Sequence, residues 1–83
     1  MRLVQVEYLD HTVGQLNGVE VGQWISREDA AKLQPAHVWQ VGWIVHDADD
    51  VLVLAPAVLA DEETVGRPDV IVRSCVISII DLA

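Results

Sequence analysis

The feature that most constrains this chain is a pair of apolar segments separated by a short acidic turn. Residues 38–46 are rich in β-branched and aromatic side chains, residues 47–50 are polar, and residues 51–55 are apolar again. Side chains of this kind favour strands, and clustered aspartates favour turns. The segment therefore predicts a β-hairpin. Gly42 lies within its first strand, where a missing side chain permits the sharp bend of a barrel corner.

Further strands are predicted near both ends of the chain. Residues 2–10 alternate between apolar and polar side chains, which is the period of a half-buried strand. Residues 70–72 and 76–80 are rich in β-branched residues and flank a polar interruption, which predicts the last strands and a tight turn between them. Residues 57–69 contain acidic residues, Gly and Pro, and are predicted to form an exposed connection.

Residues 11–36 predict a hairpin and a helix inserted into a single domain that spans residues 1–83. Asn17-Gly18 is a strong two-residue hairpin signal because both residues tolerate positive φ. The sequence leaves open whether this hairpin pairs with the main sheet or projects from it.

The predicted helix begins after Ser26, whose hydroxyl suits an N-cap, and runs to Leu33 before Pro35 stops it. Trp24 or Ile25 beside it can pack as a hydrophobic staple.

The composition indicates a domain that associates with something. A domain of 83 residues hides only about 60–65% of its unfolded surface. Since 52% of the residues are hydrophobic, some apolar side chains should stay exposed and favour a homo-oligomer, or form a docking site for another protein. The net charge of −8 disfavours nucleic acid and anionic membranes as partners.

The expected compartment is the cytoplasm. The chain has no signal-peptide pattern at its first residues, and no apolar run reaches the ~20 residues of a membrane span. Cys75 is the single cysteine, so an internal disulfide is impossible.

Four residues are candidates for ligand binding. Trp24, Trp39 and Trp43 can stack a base, a nucleotide or a cationic group, and Trp39 and Trp43 are spaced to face the same side of a strand. The alternative is packing in the core or at a subunit interface, where Trp is also enriched. Arg73 can bind an anion at the central face of an oligomer, or it only fixes its turn by bonding carbonyls or pairing with Asp69.

Catalytic and metal-binding signatures are not found in the sequence. We found no local nucleophile–base motif and no Gly-rich phosphate loop, so the prediction is a protein that is not an enzyme and has no cofactor. The acidic turn lacks the Gly and distal Glu of a calcium loop, and the histidines lack zinc spacing, so no metal is predicted. Cys75 is interpreted as a buried small hydrophobe, since a reactive thiol needs a nearby His or helix N-terminus.

Several spacings resemble those of the Sm-like family. Its members have a Gly, an apolar residue two positions on, an Asp-containing turn and an apolar strand, as in Gly42, Ile44, Asp49 and residues 51–54 here. An Arg in the turn before the last strand is followed by apolar residues four and seven positions later, as in the set Arg73, Ile77 and Ile80. The resemblance implies a strongly bent, five-stranded, SH3-like barrel that forms rings by pairing edge strands.

The chain also departs from that family. RNA-binding members have an Asn after the polar turn and a Gly after the Arg, whereas this chain has Leu52 near the first position and Ser74 at the second. The helix also lies between the first two strands, not before the first. A second resemblance, to small uncharacterised bacteriophage proteins, is carried by residues 41–43, 49–50 and 54–56 and implies a phage origin.

Together these patterns predict a mainly β domain with one short helix, folded as a small five-stranded barrel. The leading hypothesis is a non-enzymatic homo-oligomer that sequesters or modulates a host factor or small ligand at a subunit interface. Two alternatives are an Sm-like RNA-binding ring and a structural subunit of a larger assembly.

Overall fold

The computed structural model describes residues 1–22 and 24–82, and strands account for 59% of the chain. The expectation of a mainly β fold is therefore confirmed. The strands are β1 (Leu3–Leu16), β2 (Val19–Glu20), β3 (Gln34–Asp47), β4 (Val51–Ala55), β5 (Ala57–Val58), β6 (Val65–Gly66), β7 (Asp69–Val72) and β8 (Val76–Asp81). One helical turn, α1 (Arg27–Ala30), precedes β3, and a 3₁₀ turn at Arg73–Cys75 joins the last two strands.

The main sheet is antiparallel and has the order β8, β1, β3, β4, β7, while β2 pairs with the far end of β1. In the described part of the chain no pairing joins β7 to β8, so the sheet is not closed and a barrel is not shown. Residues 57–69 differ from the predicted exposed connection, because β5 and β6 within them form a separate two-stranded sheet.

The core is small and lies on one face of the main sheet. Its buried residues are Val4 and Val6 of β1, Leu52 and Leu54 of β4, and Ile71 of β7. They occupy alternate positions of their strands, as expected when one face of a sheet is covered. Burying each such side chain stabilises the fold by about 1.5–3 kcal/mol.

Gly42 allows two strands of the main sheet to approach closely. A Cβ atom at this position would lie 3.2 Å from the carbonyl oxygen of Ala55 and 3.3 Å from Cβ of Leu54. Gly42 pairs with Val4 of β1, so it sits directly on the core. The missing side chain therefore serves the contact between β3 and β4.

A long arm extends from the core. β1 and β3 each have 14 residues, and the molecule measures 50 × 21 × 21 Å. Its radius of gyration is 15.3 Å, against about 12 Å for a compact domain of this length. The Asn17-Gly18 turn has φ values of 52° and 79°, as a two-residue hairpin requires. This hairpin pairs with the far end of β1, so it extends the arm.

The predicted helix is reduced to one turn. Ser26 is its N-cap, since its Oγ accepts a hydrogen bond from the backbone N of Asp29 at 3.0 Å. The chain leaves the helix at Ala31, before Pro35, which lies within β3. Trp24 is 93% exposed, so the staple expected of it is wrong, because one helical turn with no buried residue offers no surface to pack on. None of the helices described is long and apolar enough to cross a membrane.

Candidate ligand-binding crevice

A crevice of about 220 Å³ lies beside Trp43 of β3. The N-terminus forms one part of its wall, and the connection that follows β5 forms another. The lining residues are Met1, Trp43, Val58, Leu59, Ala60 and Glu62. The sequence identified only Trp43 among them, because the other residues come together through the fold.

The loop along this crevice is held by Asp61. One carboxylate oxygen accepts hydrogen bonds from the backbone N of Glu63 at 2.9 Å and of Thr64 at 3.0 Å, and the other accepts from the Thr64 hydroxyl at 3.1 Å. The bonds from these two backbone N–H groups are the main reason why the pKa of Asp61 is lowered. The backbone N of Glu62 donates to the Leu59 carbonyl at 2.9 Å. Glu62 is thus presented on an ordered turn.

The chemistry of the crevice suits a small cation with an apolar body. Trp43 supplies an aromatic wall, Glu62 supplies a carboxylate, and Met1 and Val58 supply apolar surface. A cation over the face of Trp gains about 0.5–2 kcal/mol, depending on how far it is desolvated. The volume is below the ~300–1,000 Å³ of typical ligand pockets, so the occupant must be small.

Trp39 lies on the same face of β3 as Trp43 but outside the crevice. The two residues pair with Glu7 and Leu3 of β1 in unbroken register, and the bulge of β3 comes only after Ile44. The Trp39 ring is stacked instead on His37, with ring centroids 6.1 Å apart and an interplanar angle of 24°.

Glu7 contacts side chains of both neighbouring strands close to this aromatic pair. One of its carboxylate oxygens lies 2.5 Å from Nε2 of His37, and the other accepts a hydrogen bond from the Ser78 hydroxyl at 3.1 Å. This cluster joins the outer surfaces of β1, β3 and β8. It fixes side chains across the sheet, and the Trp39 side chain beside it is 55% exposed.

Trp24 lies on the arm, in the connection between β2 and α1. Its side chain does not line the crevice beside Trp43. The fold therefore does not gather the three tryptophans in one place. Trp43 lines a concave site, while Trp24 and Trp39 present their rings on the surface.

Arg73 is paired with an acidic residue other than the expected one. Its Nη1 donates to Oδ1 of Asp47 at 2.8 Å, and its backbone N donates to the carbonyl of Asp50 at 2.9 Å. Pairing with Asp69, one of the alternatives that the sequence left open for this residue, is therefore not observed. β7 runs antiparallel to β4, which places Arg73 over the turn between β3 and β4 while Asp69 lies at the other end of β7 and accepts from Gln40. The observed contacts fix the 3₁₀ turn.

Cys75 differs from the expected buried hydrophobe. It is only half-buried, and its Sγ lies 3.4 Å from Nδ1 of His11, a residue 64 positions away. The pairing of Tyr8 with Val76 brings these segments together. No local spacing in the sequence indicates this contact. Comparisons of the chain with protein families, with curated proteins and with solved structures found no match.

Proposed function

We propose that this chain is a non-enzymatic, self-associating small-barrel protein that binds a small ligand or host factor, and that it is encoded by a phage. The observation that carries the proposal is apolar exposure on both strands that end the sheet. Val70 of β7 is 67% exposed and Ile80 of β8 is 48% exposed. No strand in the described residues pairs with the outer side of either strand. Such edges are templates for pairing with another chain.

The surface area of the monomer supports association. The accessible surface is 6001 Å², whereas a compact monomer of 9.1 kDa has about 4,900 Å². The excess of roughly 1,100 Å² compares with the ~800 Å² that each partner buries in a standard interface. The elongated arm contributes to this excess, and contacts at the two edges would reduce the exposed area of each chain.

The order of the strands supports the small-barrel interpretation. The succession β8, β1, β3, β4, β7, with a 3₁₀ turn between the last two strands, fits a bent five-stranded sheet of the Sm-like or SH3-like kind. Since the sheet ends in two different strands, the proposed contact is β7 of one copy against β8 of the next. A contact between two different surfaces closes into a ring when its rotation permits.

RNA is not the proposed partner. Leu52, near the position of the Asn in RNA-binding Sm-like proteins, has a fully buried side chain that faces the core. Ser74 replaces the family's Gly, and the charge of −8 opposes phosphate. Titration with labelled oligonucleotides at low salt tests this view, because tight binding that weakens steeply with salt would favour RNA.

Native mass spectrometry of the purified protein, with light scattering at several concentrations, tests self-association. We expect one closed oligomer, whereas a monomer at every concentration would refute the proposal. Val70→Lys and Ile80→Lys should each give smaller species, while Val19→Lys, an exposed position on the arm, should change nothing. A mixture of the two edge variants should form heterodimers, since each retains one intact edge. If β7 instead pairs with β7, the Ile80→Lys protein will keep its oligomeric state.

The ligand part of the proposal is tested with choline, a small cation with an apolar body. We expect choline to change the tryptophan fluorescence of the protein at millimolar concentrations. Trp43→Phe should abolish the change, and Trp24→Phe should keep it. A response that survives Trp43→Phe, or no response in the wild-type protein, would refute a cation site in the crevice.

A further inference from the structure

A second crevice, of about 130 Å³, opens between β1 and β7 and contains the only thiol of the chain. It lies where the sheet is open, and it shares no lining residue with the crevice beside Trp43. On the β1 side its walls include Tyr8 and His11, and on the β7 side they include Val70 and Val72. Cys75, from the 3₁₀ turn, completes the lining.

The thiol in this crevice has a base beside it. Sγ of Cys75 and Nδ1 of His11 are 3.4 Å apart, which is within hydrogen-bonding distance for sulfur. The thiol is half-buried and the histidine is exposed, so a reagent entering the crevice meets both. Neither residue belongs to the core cluster. A thiol next to an imidazole is an arrangement that activates cysteine, because the imidazole takes the proton as sulfur attacks.

A negative charge lies at the edge of the same crevice. One carboxylate oxygen of Asp10 accepts hydrogen bonds from the backbone N of Thr12 at 2.9 Å and from its hydroxyl at 2.6 Å. These bonds lower the pKa of Asp10, the side-chain bond contributing most, so the carboxylate is ionised at neutral pH. With the net charge of −8, this field attracts cations and repels anions.

We propose that Cys75, with His11 as proton acceptor, exchanges with small cationic disulfides that enter this crevice. The sulfur of Cys75 attacks one sulfur of the reagent, a new S–S bond forms, and the S–S bond of the reagent breaks. The proton of Cys75 passes to Nδ1 of His11 and then to the departing thiolate, which leaves as a thiol. Cys75 is oxidised to a mixed disulfide and the leaving sulfur is reduced, so no further oxidant is needed.

The test is the initial rate of adduct formation with cystamine at neutral pH, followed by intact-mass spectrometry. It is measured on the wild-type chain and on Ile80→Lys, because Val70 of the crevice wall also lies at the proposed contact between copies. The reference is the same chain unfolded in urea, where the thiol has no histidine beside it. An ordinary thiol is only a few per cent ionised at neutral pH, which leaves room for acceleration. We expect the native protein to react at least about fivefold faster than the unfolded chain. A native rate at or below the unfolded rate would overturn the proposal.

Three variants and a second reagent sharpen the test. Cys75→Ser should give no adduct. His11→Gln should lower the native rate to that of the unfolded chain or below. The control is His46→Gln, a change at another exposed histidine, which should leave the native rate unchanged. An unchanged rate in the His11→Gln protein would show that the imidazole takes no part in the reaction. Oxidised glutathione, which is anionic, should react at least about tenfold more slowly than cystamine at low salt, and high salt should shrink that ratio. Equal rates at low salt would refute the preference for cations.

Discussion

Replacing Gly42 with alanine tests whether β3 and β4 approach as closely as the structure indicates. The new Cβ would meet the Ala55 carbonyl at 3.2 Å and Leu54 at 3.3 Å, and the carbonyl belongs to the backbone of a paired strand, which moves little. Overpacking of this kind lowers the free energy of unfolding by about 1–3 kcal/mol. Removing the conformational freedom of Gly raises it by about 0.5–1 kcal/mol. Taking the middle of each range, we expect a net loss of about 1 kcal/mol, or about 4–8 °C in Tm for a domain of this size.

The assay is urea unfolding followed by circular dichroism at one fixed protein concentration. The matched control is Gly22→Ala, because a Cβ at Gly22 meets no atom within 4 Å and the backbone there is not left-handed. This variant should equal the wild type or exceed its stability by up to about 1 kcal/mol. A Gly42→Ala protein as stable as the wild type, or a Gly22→Ala protein that loses as much, would show that the close approach is not what Gly42 provides.

Three further measurements follow from the fold. Leu52→Ala should lower the free energy of unfolding by about 2.7–5 kcal/mol because Leu52 is fully buried, and a loss below about 1 kcal/mol would contradict the core. Gly18→Ala should cost about 1–2 kcal/mol because φ is 79° there, and an unchanged urea midpoint would contradict the left-handed turn. The pKa of Asp61 is lowered in the fold, so its stabilisation is present above its unfolded pKa of about 4 and is lost as the pH falls through the lowered value. The free energy of unfolding should therefore fall less steeply with decreasing pH in the Asp61→Asn protein than in the wild type. An equally steep fall would show that Asp61 is not the cause.

The parts of this fold that were predictable are those specified by neighbouring residues. Asn17-Gly18 forms the expected hairpin because both residues accept positive φ, and the hydroxyl of Ser26 caps the helix as expected. The aspartates after residue 46 also form the expected turn, with the backbone N of Ala48 donating to the Val51 carbonyl at 2.9 Å. The helix was predicted too long because its favourable start is not followed by an apolar face that the sheet can cover.

The candidate sites were less predictable because both depend on pairings between distant segments. Trp43 was found by its residue type, but its crevice also needs Met1 and the turn at Glu62. The contact between His11 and Cys75 depends on the register of β1 against β8, which shifts between Glu7 and Tyr8. A change of one residue in register turns every side chain of a strand to the other face. Single-sequence periodicity gives the faces of each strand but not which strands meet.

The shape of the molecule connects its small core with its proposed role. The arm continues the β1–β3 ladder beyond the core, where Val19 and Trp24 have little to cover them. The core itself has few buried residues, and the edges of the sheet at β7 and β8 carry exposed apolar side chains. In a chain of 83 residues, the residues that form the extended hairpin cannot also enlarge the core. Pairing of the edges between copies would bury apolar area beside the existing core. The exposed apolar edges that leave the monomer with a small core are therefore the surfaces that we propose for association.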